Sequence, residues 1–176
     1  KCITHGAGNA LIEHNKEFSL HCNISNSDKI FYYTTTGWMM WNWLIGGLSR
    51  GATLYLYDGS PTYPCKDTLI KFCEKEKISL FGVSAKYIDY LKKENFNFNN
   101  LDLSNLKMIA STGSPLAKES FEFVYKNIKN DVHLTSISGG TDVVGCLVLG
   151  NIFSNVHAGE IQGESLGIDV DIFNEK

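Results

Sequence analysis

From residue 29 onward, short apolar runs alternate along this chain with segments whose apolar residues have helical spacing. Short runs of this kind predict strands, whereas apolar residues three and four apart predict helices. The predicted strands occupy residues 29–33, 52–57, 79–83, 106–110 and 132–137, and the predicted helices occupy residues 8–18, 37–49, 68–76, 85–93 and 115–128. This alternation predicts an α/β fold, with a largely parallel sheet flanked by helices.

Three predicted helices carry further detail. Leu11, Ile12 and Phe18 are spaced for one face of the first helix, which predicts that this face is buried. Residues 37–49 are apolar almost all round, so we expect a buried helix there. Pro115 is expected to open the last helix, because proline is favoured in the first helical turn.

The pattern changes near the end of the chain. Short alternating runs at residues 160–162 and 168–173 predict strands that leave the helix-flanked sheet. We therefore expect residues 1–150 to form that sheet and residues 151–176 to begin a separate small β region. The chain starts on Lys1 rather than methionine and stops within an alternating run, so a piece of a longer protein is expected.

Composition excludes several classes of protein. The chain has 176 residues, of which 43% are hydrophobic, enough to bury a core. Its net charge is -3 and its lysines are scattered among acids, so neither nucleic acid nor a membrane surface is an expected partner. Five cysteines without a Cys-x-x-Cys pair predict reduced thiols in a cytoplasmic protein. Five isolated histidines and no Gly-x-Ser-x-Gly motif give no support to a serine hydrolase.

Two turns of small residues, 111–115 and 136–142, each follow a predicted buried strand. Ligands of open α/β sheets lie at the carboxyl ends of strands, where both turns are expected. Gly113 lets backbone approach a flat ring, while Thr141 and Asp142 offer a hydroxyl for phosphate and a carboxylate for magnesium. The pair is compatible with a nucleotide site as well as with ordinary tight loops, whereas each turn taken alone is more often a tight loop than a ligand site.

Residues 32–43 are rich in aromatic side chains and methionine. Such a helix is usually part of a core, since methionine fills irregular gaps. The three threonines and the glycine before it also suit a helix that begins at a pocket. In that case Trp38, Met39 and Met40 form an apolar wall.

Six segments together resemble the acetoacetate-activating branch of the AMP-forming acyl-CoA synthetases, within the adenylate-forming superfamily. They are residues 1–5, 32–43, 56–61, 82–87, 111–116 and 136–142, in the family's order. The resemblance covers essentially the whole chain and implies an incomplete N-terminal AMP-binding domain. It also implies an enzyme that uses ATP, Mg²⁺ and coenzyme A, and whose isolated fragment is inactive without the missing remainder of its polypeptide.

Site residues follow from the same resemblance. It implies adenine contacts from Gly113, Ser114 and Pro115 and from Ser138, Gly139 and Gly140, a phosphate contact from Thr141, a magnesium contact from Asp142, and Lys1 as the last residue of the phosphate loop. Most of the superfamily has glutamate where this chain has Asp142. The shorter side chain implies a metal contact that can run through water.

The resemblance also implies an acyl pocket formed by Trp38, Met39, Met40, Thr112 and Gly139. Thr112 is expected to donate a hydrogen bond to the 3-keto oxygen of acetoacetate. Relatives that activate acetate have a tryptophan at the position of Gly139. Its absence implies space for a longer acyl chain, and tryptophan there should shift preference toward acetate. An acetate or propionate enzyme and a non-catalytic nucleotide-binding module remain alternatives.

Overall fold

A five-stranded parallel sheet forms the centre of the fold. The computed structural model describes residues 2–174. The strands are β1 (Lys29–Tyr32), β2 (Thr53–Tyr55), β3 (Leu80–Ser84), β4 (Met108–Thr112) and β5 (His133–Ser136). They lie in the order β2-β1-β3-β4-β5, and every neighbouring pair is parallel. The predicted α/β architecture is confirmed.

Helices cover both faces of this sheet. They are α1 (Ala7–Lys16), which continues into a π-helical turn (Glu17–His21), α2 (Met39–Gly46), which continues into a 3-10 turn (Gly47–Arg50), α3 (Thr68–Glu76), α4 (Ala85–Lys93) and α5 (Lys118–Asn127). Successive side chains of a strand point to opposite faces. Phe31 accordingly packs in one core cluster with α3, α4 and α5, whereas Ile30 packs in the other with α2 and the π-helical turn.

A second, antiparallel sheet consists of β6 (Ser138–Gly140), β7 (Gly145–Leu149) and β8 (Gly163–Glu164), in that order. Two of its strands precede residue 150, within the segment assigned from sequence to the large sheet. The predicted strands at residues 160–162 and 168–173 are wrong, because within residues 150–174 the chain pairs only at β8. Ile172 and Phe173 stand largely in solvent, so their alternation reflects no sheet face among the described residues.

Two helix predictions are also wrong in detail. Helix α5 begins at Lys118 rather than Pro115, because Ala117 is still extended (φ -67°, ψ 150°) and Leu116 is buried. In α1, Leu11 and Ile12 are 53% and 71% exposed. Phe18 is fully buried as expected, but the other buried residues of α1 and its π-helical turn are polar, namely His14, Glu17 and His21.

Helix α2 is buried on one side only. Met40, Trp43 and Leu44 are buried, whereas Ile45 and Leu48 are exposed, so the apolar character of residues 37–49 does not mean burial all round. A helix long and apolar enough to cross a bilayer does not occur within residues 2–174.

Candidate functional site

A cavity of about 230 Å³ lies at the carboxyl ends of the sheet strands. All five residues assigned from sequence to an acyl pocket line it: Trp38, Met39, Met40, Thr112 and Gly139. Met40 is buried, whereas Trp38, which precedes α2 in extended conformation, is 59% exposed. The structure therefore brings the start of α2, the end of β4 and the hairpin strand β6 around one space.

Sequence reasoning missed part of this wall. Tyr32, Tyr33, Ser84 and Ile137 also line the cavity. Each lies at or next to the carboxyl end of a sheet strand, so the strand-end rule could have selected these positions.

A groove of about 480 Å³ adjoins this cavity. It is lined by Gly113, Ser114, Pro115, Ser138 and Gly139, five of the residues expected to contact the nucleotide. Residues 159–161 form another part of the groove wall, and the last two of them belong to the strand predicted at residues 160–162. Four residues line both spaces: Thr112, Gly113, Ile137 and Gly139.

Gly113 directly follows β4 and lines both the cavity and the groove. Its φ of +87° lies in the left-handed region, where side chains are strained. A Cβ atom built on it meets no other atom within 4 Å. The position therefore requires glycine for its backbone conformation and leaves open space above the peptide, as a wall against a flat ring needs.

The hydroxyl of Thr112 is already engaged. Its Oγ1 donates to the backbone oxygen of Ile137 at 3.1 Å. A single hydroxyl has one proton to donate. The expected hydrogen bond from Thr112 to a 3-keto oxygen would have to break this contact, so in the described arrangement Thr112 is an acceptor toward the cavity.

Gly139 lines the cavity with its backbone. A Cβ atom built there overlaps the carbonyl oxygen of Gly145 and lies 2.7 Å from Cα of Cys146 on the paired strand β7. Contact with backbone this close requires the hairpin to shift. Tryptophan at position 139 would therefore have to displace the hairpin as well as occupy the acyl space, and its expected shift of preference toward acetate stays a prediction. Gly140 lines the same cavity, and a Cβ there meets no atom within 4 Å.

Thr141 and Asp142 lie in the exposed turn between β6 and β7. Thr141 also lines the cavity, whereas Asp142 lies beyond the residues that line the cavity and the groove. Lys1 is outside the described residues. Among residues 2–174, no group of three or more His, Cys, Asp or Glu side chains is arranged to hold a metal ion.

Two histidines contact this turn through its backbone oxygens. His5 Nε2 lies 2.6 Å from the oxygen of Thr141, and His14 Nε2 lies 2.6 Å from the oxygen of Val144. Burial lowers the pKa of His14, so its ring is held neutral and donates one N–H. The sequence analysis had found no role for these histidines.

Glu17 contacts the strand that follows the turn. It is fully buried, and its Oε1 accepts the backbone N–H of Cys146 at 2.7 Å while its Oε2 accepts the indole N–H of Trp43 at 2.6 Å. Burial, reinforced by the neighbouring Glu13 carboxyl, raises the pKa of Glu17 to about 7. A Cβ on Gly145 would lie within 3 Å of an oxygen of each glutamate, so both carboxyl groups pack directly on β7.

Tyr32 has a different kind of buried polar group. Its Oη is sealed from solvent and has no hydrogen-bond partner among the described residues. The ring lies against Gly82 of β3, where any Cβ would overlap it, and stacks edge-on to Trp43 at 5.8 Å. Burial raises the pKa of this hydroxyl well above its usual value.

Comparison with known proteins gives a consistent result. A family model described as AMP-binding enzyme matches residues 1–172. Acetoacetyl-coenzyme A synthetase of Rhizobium meliloti (strain 1021) is 52% identical over 100% of this chain and 27% of its own length. Acetoacetyl-CoA synthetase of Gallus gallus is 46% identical over 100% of this chain and 26% of its length.

The fold has a counterpart among solved structures. Acetoacetyl-CoA synthetase from Streptomyces lividans superposes with a TM-score of 0.84 at 40% identity, covering 91% of this chain and 25% of that one. The chain thus spans about a quarter of the length of the relatives it matches.

Proposed function

Because the chain belongs to the AMP-binding enzyme family, we propose that the whole protein is an AMP-forming acid–thiol ligase for acetoacetate. The acid's carboxylate oxygen attacks the α-phosphorus of ATP, which forms acetoacetyl-AMP and releases pyrophosphate. The thiol of coenzyme A then attacks the acyl carbon, which forms the thioester and releases AMP. Neither step requires a covalent bond to the protein, so positioning and charge stabilisation are the protein's contributions.

One observation carries this proposal: the small cavity and the larger groove share a wall. Thr112, Gly113, Ile137 and Gly139 line both, so an acid in the cavity and a nucleotide in the groove would meet at these residues. Transfer between two ligands requires their reacting atoms to be held about 3–3.5 Å apart. Adjacent spaces with a common boundary suit that requirement.

The remaining roles rest on the family resemblance. Gly113, Ser114 and Pro115 would face one side of adenine, and Ser138, Gly139 and Gly140 the other. The hydroxyl of Thr141 would contact phosphate. Trp38, Met39 and Met40 would enclose the acyl chain, with Thr112 and Gly139 at the boundary with the nucleotide.

The donor set fits a magnesium ion that arrives with its nucleotide. Mg²⁺ is commonly held by one or two carboxylates together with substrate phosphates and water, rather than by a protein cage. Asp142 is a single exposed carboxylate beside Thr141, which matches that arrangement. When bound, Mg²⁺ would neutralise phosphate charge, while Asp142 would hold it directly or through water.

Size supports a short acid. The cavity of about 230 Å³ is smaller than the ~300–1,000 Å³ of typical drug-sized pockets, which disfavours long-chain acids. The relatives named above are acetoacetyl-CoA synthetases, which favours acetoacetate over the acetate and propionate alternatives. All five cysteines are free, which supports a reducing compartment such as the cytoplasm.

The test is a substrate panel on the full-length protein. Acetoacetate, acetate and propionate are each supplied with ATP, Mg²⁺ and coenzyme A, and pyrophosphate, AMP and thioester are measured. We expect equal amounts of the three products, with the highest kcat/KM for acetoacetate. ADP and phosphate as products would contradict the mechanism. Preference for acetate or propionate would move the protein to that alternative, and nucleotide binding without turnover would favour the non-catalytic module.

A further inference from the structure

We propose that His5, His14 and Glu17 form a loop clamp that positions Thr141 and Asp142 for contact with the triphosphate and its metal ion. The inference rests on the proposed function, because it takes the β6–β7 turn as the part that meets ATP. The three clamp residues act on the backbone of the turn and of β7. They are therefore positioning residues rather than catalytic ones.

The clamp holds backbone atoms on both sides of the functional side chains. Its contacts to the oxygens of Thr141 and Val144 and to the N–H of Cys146 bracket Asp142 along the chain. The side chains of Thr141 and Asp142 themselves are exposed. The turn is thus fixed without using the groups expected to meet phosphate and metal.

Without the clamp, this turn has little to hold it. Strand β6 contains three residues, two of them glycine, and its register with β7 is irregular between Ser138 and Gly139. Glycine adds backbone freedom and no side-chain packing. Exposed turns next to such short strands are the parts of a protein that open most easily. Hydrogen bonds from a neighbouring helix supply the missing restraint.

Glu17 joins the turn to the acyl cavity. Its two oxygens accept N–H groups from β7 and, through Trp43, from α2. Helix α2 also carries Met39 and Met40, which line the cavity. One carboxyl group thereby fixes the spacing between the acyl wall and the β6–β7 hairpin.

The charge state of Glu17 sets the strength of this hold. The groups that face its carboxyl are Glu13 on α1, Cys22 after the π-helical turn and Cys146 on β7, and Lys16 pairs with Glu13 at 2.8 Å. Ionisation of Glu17 would place a buried negative charge beside the partly buried carboxyl group of Glu13. Like charges in a buried site repel and are poorly solvated. Because solvated Glu17 would release its proton near pH 4.5 and buried Glu17 keeps it up to about pH 7, we expect the clamp to loosen as pH rises from 4.5 to 7.

The test measures substrate affinities of the full-length Glu17→Gln protein. Glutamine keeps the size of the side chain but replaces one acceptor oxygen with an NH₂ group. This group cannot accept a hydrogen bond, so either the N–H of Cys146 or the indole N–H of Trp43 loses its acceptor. We expect KM for ATP to rise about tenfold, as for the loss of one hydrogen bond. KM for acetoacetate should change less than about twofold. In wild-type protein KM for ATP should also rise as pH increases from 4.5 to 7, and this rise should be absent from the variant.

Two matched controls separate positioning from loss of stability. Asp28→Asn alters another buried carboxyl group, which accepts hydrogen bonds from Ser25 and Lys107. It lies at the amino end of β1, away from the cavity at the carboxyl end. His21→Gln alters another buried histidine of the same segment, which contacts the oxygen of Gly150 rather than the turn. Both should lower thermal stability without changing KM for ATP relative to KM for acetoacetate.

His14→Gln is the second clamp variant and replaces Glu17→Gln if that protein does not fold. It should reproduce the selective rise in KM for ATP. Either variant could instead lose stability while KM for ATP and KM for acetoacetate change equally or not at all. That result would show that the clamp is only a structural contact, and it would overturn the proposal.

Amide hydrogen exchange in the nucleotide-free full-length protein separates this proposal from the proposed function. The clamp predicts faster exchange at residues 141–146 in both clamp variants, whatever reaction the protein performs. Unchanged exchange overturns the clamp even if acetoacetate is activated normally. Faster exchange in a protein that releases no pyrophosphate with any acid refutes the ligase and the ATP-positioning role, while the hold on the turn stands.

Discussion

Cys146 donates its backbone N–H to Oε1 of Glu17 at 2.7 Å, although 129 residues separate the two along the chain. The contact joins the small antiparallel sheet to the π-helical turn that follows α1 and precedes β1. A carboxyl group is a costly choice at a fully buried position. Its cost becomes measurable through pH.

Stability should reveal the raised pKa of Glu17. The folded protein keeps the proton up to about pH 7, whereas the unfolded chain releases it near 4.5. The group's contribution is therefore fully present below pH 4.5 and is lost as pH rises to 7. We expect the free energy of unfolding of wild type, relative to Glu17→Gln, to fall by about 3 kcal/mol across that range.

Urea unfolding of the full-length protein at several pH values measures this difference. Asp28→Asn is the control, because its hydrogen bonds with Lys107 and Ser25 lower the pKa of Asp28 despite burial. Its contribution is lost only as pH falls below 3.8, so its difference from wild type should stay constant between pH 4.5 and 7. A constant difference for Glu17→Gln as well would show that Glu17 is ionised throughout.

Gly139→Ala should destabilise the protein. The added methyl group overlaps the backbone of β7 and forces the hairpin to move, which we expect to cost about 1–3 kcal/mol. Gly140→Ala places its methyl group in open space and should change stability by less than about 0.5 kcal/mol. Thermal unfolding of the two variants checks the contrast, and equal midpoints would contradict it.

Thr112→Val should act on stability more than on substrate affinity. The variant leaves the oxygen of Ile137 without its donor, which we expect to cost about 1 kcal/mol. KM for acetoacetate should remain within about twofold of wild type, and Thr112→Ser should restore stability. A large rise in KM for acetoacetate alone would instead assign the hydroxyl to the 3-keto oxygen.

Tyr32→Phe should stabilise the protein by about 1 kcal/mol, because it removes a buried hydroxyl that has no partner among the described residues. Tyr57→Phe provides the opposite case, since Tyr57 donates to the oxygen of Ser60 at 3.0 Å. That variant should be neutral or slightly less stable than wild type. Loss of stability in Tyr32→Phe, measured by urea unfolding, would show that the hydroxyl has a hydrogen-bond partner outside the described residues.

Two of the helices that flank the large sheet could be predicted from local sequence pattern. The bounds of α3 and α4 match the prediction to the residue, because each helix presents one apolar stripe to the core. For α4, Ser84 also caps the first turn by accepting the N–H of Tyr87. Local signals and tertiary packing agree in both helices.

Prediction failed where long-range contacts replace local preference. In α1, the apolar pair Leu11 and Ile12 is exposed, while the buried face bonds the distant strand β7. His14, Glu17 and His21 are spaced for one face of the segment, so their polar stripe was visible in the sequence. Its partner strand was not, because nothing local indicates which backbone groups a buried polar side chain will meet.

The site was predicted better than the elements around it. The rule that ligands lie at strand ends selects both small-residue turns, and the cavity and the groove do lie there. The lack of space for a side chain at Gly139 could not be predicted, because it depends on the register with which β6 pairs with Gly145 and Cys146 of β7. The roles of these residues toward ATP and the acid stay predictions.

With the acid and the nucleotide bound as proposed, the common wall of the cavity and the groove would contact both ligands at four positions. A substitution at Thr112, Gly113, Ile137 or Gly139 alters both spaces at once. Acyl selectivity can therefore diverge among related sequences mainly through residues outside that partition, such as Met40 or Tyr33. Under the proposed function, a substitution that changes the shape of this shared wall would affect recognition of the nucleotide as well as of the acid, whereas one of equal size, such as Thr112→Val, would not.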